Sequence, residues 1–127
     1  MNKEDFVTYK QALALKKLGF DYNCDYNYSE DKELYKYDYH SDFYSDTSSD
    51  SDLPAPTLAQ AQKWLRKEKN LYVCVEIDIT DTVNNIFYWT IYKLPYKKQI
   101  RKTRNFDSPE EALSAGITEC LKLLENE

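Results

Sequence analysis

An α+β fold is what this chain's sequence predicts: a two-layer arrangement of helices on one face of an antiparallel sheet, in the order α-ββ-α-βββ-α. Two observations carry that prediction. The apolar residues switch repeatedly between a period near 3.6 and a period of two. The last segment also opens on Ser108-Pro-Glu-Glu111, a strong helix-start signal. With 127 residues, the expectation is a single domain over 1–127, because a chain of this size removes roughly two thirds of its unfolded surface from water.

Residues 3–18 read as a helix ending at Gly19, with Phe6, Tyr9 and Leu13 in one apolar row and Val7, Ala14 and Leu18 in another. The period then changes. Phe20, Tyr22, Cys24, Tyr26 and Tyr28 alternate with Asp21, Asn23, Asp25 and Asn27. After the polar Ser29–Lys32, the alternation resumes with Tyr35, Tyr37 and Tyr39 against Lys36, Asp38 and His40. Aromatic residues suit strands, and cross-strand aromatic pairs stabilise them. Residues 20–40 are therefore expected to form a hairpin with one tyrosine face and one acidic, amide-bearing face, either extending the main sheet or standing as a flap. Residues 41–56, rich in Ser and Asp and closing on Leu53-Pro-Ala-Pro56, are expected to be a loop or tether.

The core is expected in 57–127, as α-β-β-β-α. Thr57 precedes a helix over 58–69, with Leu58, Ala61 and Leu65 on one side and Lys63, Arg66 and Lys67 on the other. Leu71, Val73, Val75, Ile77 and Ile79 alternate with polar residues as a strand; Asp81–Asn85 turns; Phe87, Trp89 and Ile91 alternate with Tyr88, Thr90 and Tyr92 as the next. Pro95 ends that strand, and 98–106 reads as a basic edge strand, where lysines discourage sheet-to-sheet association. The final helix has Pro at its first position and a buried stripe of Leu113, Ile117, Cys120, Leu121 and Leu124. Gly116 on that stripe allows close approach to a neighbour. The expected core is Leu65, Val73, Val75, Ile77, Trp89, Leu113, Ile117, Leu121 and Leu124.

Composition narrows the function classes. No apolar run reaches the roughly 18 residues of a membrane span, and the polar Met1–Asp5 start lacks a signal-peptide core, so a cytoplasmic protein with no membrane partner is expected. Three separated cysteines, 24, 74 and 120, form neither a disulfide framework nor a zinc motif. His40 is the one histidine and lies far in sequence from Cys74 and Cys120, which leaves little material for nucleophilic catalysis. Two glycines leave no phosphate-cradling loop. The Asp46–Asp52 stretch lacks the turn glycine and terminal glutamate of a calcium loop. Glu76 and Asp78 share a strand face without a following Glu-x-Lys to complete a nuclease site. The expectation is a chain that is not an enzyme and holds no cofactor or metal.

Charge supplies the positive evidence. Net charge is −5, yet residues 21–52 carry ten carboxylates against Lys32 and Lys36, while Lys93–Arg104 carries six basic side chains and no acid. The acidic hairpin is one candidate surface: Asp21, Tyr22, Asp25, Tyr26, Tyr28, Tyr35, Tyr37, Asp38 and Tyr39 alternate in a way that imitates a row of phosphates, and tyrosine is enriched at protein interfaces. The other candidate binds nucleic acid, with Lys63, Arg66, Lys67, Lys93, Lys97, Lys98, Arg101, Lys102 and Arg104 on phosphates and Tyr88 and Tyr92 stacking on bases. The order α-β-β-β-α is that of a double-stranded-RNA-binding domain. That family clamps phosphates with a lysine-rich start to its last helix, where this chain has Pro109-Glu110-Glu111.

Two stretches, Ala55-Pro-Thr-Leu-Ala-Gln-Ala-Gln-Lys-Trp-Leu-Arg66 and Ser108-Pro-Glu-Glu-Ala-Leu-Ser-Ala-Gly-Ile117 continuing to Leu124, together with Lys17-Leu-Gly-Phe20, resemble small phage- and mobile-element-encoded proteins of the Bacteroides group. The resemblance implies no activity and no functional residues. It implies an accessory protein working in a bacterial host cell. The expected function is binding of a host or phage protein through the hairpin, with nucleic-acid binding as the alternative.

Overall fold

The computed structural model describes residues 2–36, 53–95 and 98–126. They form two compact units, Met1–Thr57 and Leu58–Glu127. Helices and strands follow the order α-ββ-α-βββ-α, with one added two-residue strand, and the strands make two separate three-stranded antiparallel sheets. The tyrosine hairpin thus belongs to its own sheet rather than extending the other.

In the first unit the expected 3–18 helix is shorter and starts later. Lys3–Asp5 is a single 3-10 turn, Phe6 bridges Thr57, and the Val7 amide donates to the Pro56 carbonyl at 3.1 Å. Helix α1 then runs Tyr9–Lys17. It starts there because Thr8 and Gln11 form a reciprocal capping box: Thr8 Oγ1 accepts from the Gln11 amide (3.1 Å) and Gln11 Oε1 from the Thr8 amide (2.7 Å). Gly19 at φ 98° ends it as expected. With Phe6 and Val7 off the helix, the buried face is Gln11, Ala12 and Leu15, and Leu13 lies outward.

The hairpin is also shorter than predicted. Residues 20–25 are not in a strand; β1 is Tyr26–Tyr28 and β2 is Leu34–Lys36. Strand β3, Leu53–Pro54, pairs with the other edge of β1, so the end of the expected 41–56 loop is structured, with Leu53 buried. The earlier part of that tract, with Asp46–Asp52 and His40, lies outside the described residues.

The second unit matches the predicted order closely. Helix α2 is Leu58–Lys69, β4 Leu71–Ile77, β5 Phe87–Lys93, β6 Lys98–Phe106 and α3 Pro109–Glu125, with β5 central in the sheet. Asn70 at φ 59° breaks the chain between α2 and β4. Asn105 at φ 76° sits where the β5–β6 register slips. Ser108 caps α3 through the Glu111 amide (3.1 Å), but the box is not reciprocal: the Glu111 carboxylate accepts from the Asp107 amide at 3.4 Å. Gly116 lets α3 lie against β4 and β5. A Cβ there would fall 2.6 Å from Val73 Cγ1 and 3.2 Å from Trp89 Cβ.

Leu65, Val73, Trp89, Ile117, Cys120 and Leu121 are buried as predicted, and Ile91 and Ala112 join them. Val75, Leu113 and Leu124 are half-buried. Ile77 is 45% exposed and is not core. The strand ends there because Asp78 turns the chain: its carboxylate accepts from the Thr80 amide (2.9 Å) and hydroxyl (2.6 Å). Ile79, expected in the strand, is instead 84% exposed. These bonds, and those that Asp81 accepts from the Val83 and Asn84 amides, hold both carboxyls below the usual aspartate pKa.

Candidate interaction surfaces

The first surface is the hairpin, and its register divides the tyrosines. Strands β1 and β2 pair Tyr26 with Lys36, Asn27 with Tyr35 and Tyr28 with Leu34. Directly paired residues share a face. Tyr35 therefore lies on the Asn27 face, opposite Tyr26 and Tyr28, and the predicted single tyrosine face does not form. The cause is the connection. Ser29 and Glu33 close it through an amide–carbonyl bond of 2.9 Å, leaving a three-residue loop whose last member, Lys32, sits at φ 65°. A loop with an odd number of residues sets odd positions against odd.

Tyr26 and Tyr28 face their own unit. Tyr26 packs on Phe6 with ring centroids 4.7 Å apart, and Tyr28 meets Tyr9 edge-on at 5.6 Å. The Tyr28 hydroxyl donates to the Val7 carbonyl at 2.6 Å. Partial burial raises its pKa. Tyr22 leans on Phe20. Asp21 and Asp25 are exposed; Tyr35 is half-buried on the other face. Tyr37, Asp38 and Tyr39 lie outside the described residues. Cys24 donates to the Tyr22 carbonyl, and burial beside Asp25 pushes its thiol up to about 11, which keeps it protonated and poorly nucleophilic at neutral pH.

The second surface is the sheet of the other unit. Lys63 and Lys67 on α2 are exposed, Arg66 lies 5.8 Å over the Tyr72 ring, and Lys93 is half-buried at the end of β5. Lys97 lies outside the described residues. Lys98, Arg101 and Lys102 occupy β6 opposite Lys93, Ile91 and Thr90, but their side chains, like that of Arg104, are outside the description. Tyr88 and Tyr92 share a face with Tyr72, Cys74 and Glu76. Glu76 places a carboxylate on that face and accepts the Tyr88 hydroxyl at 2.6 Å, a bond that raises the Tyr88 pKa. A carboxylate beside the proposed stacking ring disfavours a phosphate backbone there.

Sequence reasoning missed a groove beside β4. It is lined by Gln62 of α2, Tyr72 to Glu76 of β4 without Val73, and Pro109, Glu110 and Leu113 of α3, with a volume of about 520 Å³. No local signal marks it, because it arises from how α2 and α3 lie beside the strand. Burial pushes the Cys120 thiol up to about 12 and raises that of Cys74. Among the described residues no group of three His, Cys, Asp or Glu side chains is placed to hold a metal ion, and no helix is long and apolar enough to cross a membrane. No protein-family model matches the chain, and neither the curated proteins nor the solved structures include a match.

Proposed function

We propose that the chain is a non-catalytic accessory protein of a phage or mobile element that binds another protein through the outward face of its first sheet. The observation that carries this reading is the register of β1 against β2, which gives the tyrosines two different tasks. Tyr26 and Tyr28 pack inward and hold the hairpin on Phe6 and on Tyr9 of α1. Tyr35 is on the opposite face, where a large ring with few rotatable bonds can anchor a partner. Asp21 and Asp25, exposed just before β1, add a negative field that steers a basic partner toward it.

Paired baits test the proposal. The parent chain and an Asp21→Lys/Asp25→Lys variant are presented to nuclease-treated bacterial lysate under identical conditions. The expected result is a protein retained by the parent and lost or strongly depleted from the variant. Kinetics of that pair should show slower, salt-sensitive association for the variant and little change in dissociation. Equal retention by both baits would overturn the reading. A partner that disappears on nuclease treatment would favour the nucleic-acid alternative instead.

A further inference from the structure

The hydrogen bonds that bracket the β4–β5 ladder define which backbone groups β4 presents outward. The Asp78 amide donates to the Ile86 carbonyl at 2.7 Å, and the Leu94 amide to the Asn70 carbonyl at 2.9 Å. With Leu71 opposite Lys93 and Ile77 opposite Phe87, these bonds place the even-numbered residues of β4 in the hydrogen-bonded pairs. In an antiparallel ladder the alternate residues then turn their amides and carbonyls away from the partner strand. For β4 those are Leu71, Val73, Val75 and Ile77, at the edge of the sheet.

A third contact agrees. Gln62 Nε2 of α2 donates to the Val73 carbonyl at 2.6 Å, from the side away from β5. Helix α2 thus covers the first part of this edge, the usual protection against unwanted strand pairing. Among the described residues no such side-chain bond reaches Val75 or Ile77. Beside Val75 lies the groove of about 520 Å³, closed on its far side by Pro109, Glu110 and Leu113 of α3. Ile77, 45% exposed, continues the same edge past the groove.

We propose that the β4 edge at Val75–Ile77 receives an extended segment of another polypeptide as an added strand, one that carries a lysine or arginine beside an aliphatic residue. Strand addition supplies main-chain bonds to the outward amides and carbonyls, and the groove supplies side-chain selection. Leu113, Pro109 and Ile77 offer apolar surface to the aliphatic residue. Every ionisable carboxyl lining the groove, Glu76 and Glu110, favours a cation. A second copy of β4 at this edge would bring four such carboxylates together, which argues for a basic partner rather than self-pairing through β4. This surface lies in the second unit and does not depend on the hairpin.

The test uses the full ¹⁵N-labelled chain and a capped synthetic nonapeptide alternating lysine with valine and threonine. Amide resonances of Val75, Glu76, Ile77 and Glu110 should shift on titration and saturate, and the Val75 amide should gain protection from exchange. Replacing the peptide's lysines with glutamate, or N-methylating its outward amides, should each weaken binding about tenfold or more. A Glu110→Lys chain, altered only at the half-buried second position of α3, should weaken it comparably while its parent fold persists. Shifts confined to other surfaces, or equal binding of the N-methylated peptide, would overturn the proposal. So would broadening of the same residues with protein concentration alone, since the occupant would then be a second copy.

Discussion

Leu121→Ala is expected to lower the stability of the second unit by about 2–5 kcal/mol, the range for deleting a fully buried leucine side chain. Leu121 retains 4% of its surface and shares the covered face of α3 with Ile117 and Cys120, each at 0%. The cost combines lost transfer free energy with a cavity that a helix pressed this closely on the sheet collapses poorly. A single domain is stable by only about 5–15 kcal/mol, so this one change removes a large share. The measurement is convenient here, because both tryptophans, Trp64 and Trp89, are buried in the second unit. Urea unfolding followed by tryptophan emission therefore reads that unit. A loss below about 1 kcal/mol would take Leu121 out of the core.

Gly116→Val is expected to destabilise the same unit by about 1–3 kcal/mol or more, despite replacing the second-worst helix former. Two effects compete at this position. Removing glycine from a helix interior favours folding by up to about 1 kcal/mol, as the alanine comparison shows. Against that, the first added carbon would sit 2.6 Å from Val73 Cγ1 and 3.2 Å from both Cβ and Cγ of Trp89. Neither neighbour is the loose end of a flexible chain; valine is stiff about χ1, and the tryptophan atoms are next to the backbone of the central strand. The helix must move off the sheet, so overpacking wins. Gly116→Ala should lie between the parent and Gly116→Val in the same unfolding measurement. A Gly116→Ala chain more stable than the parent would show that the helix and sheet are not in contact there.

The second unit was legible in the sequence because its signals are long and redundant. Strand β4 alternates over seven residues, α3 has a cap, a proline at its start and a full apolar stripe, and Gly116 stands on that stripe. The first unit was less legible because its elements are short and set by single local bonds. The Thr8–Gln11 box places the start of α1, and once the helix starts at Tyr9 the rows assigned to Phe6 and Val7 no longer exist. The tyrosine pattern reads as one face only if the turn sets even positions against odd. The turn does not, since three residues separate Ser29 from Glu33 and odd positions pair with odd. Ile77 and Ile79 fit the alternation of a strand, but Asp78 competes for the backbone and ends it. The β4 groove had no sequence signal at all, because Gln62, Val75 and Leu113 meet only through tertiary packing.

The division of labour between the tyrosines makes the functional account directly measurable. Tyr28 is tied to Val7 and Tyr9, so its loss should damage folding. Tyr35 lies on the opposite face of the same sheet. The decisive quantity is the dissociation rate of the captured partner from a Tyr35→Ala chain, measured beside the thermal unfolding of that chain. The account predicts dissociation faster by about tenfold or more, as for loss of an anchor residue, with unfolding within a few degrees of the parent. Unchanged dissociation from a folded Tyr35→Ala chain would contradict it.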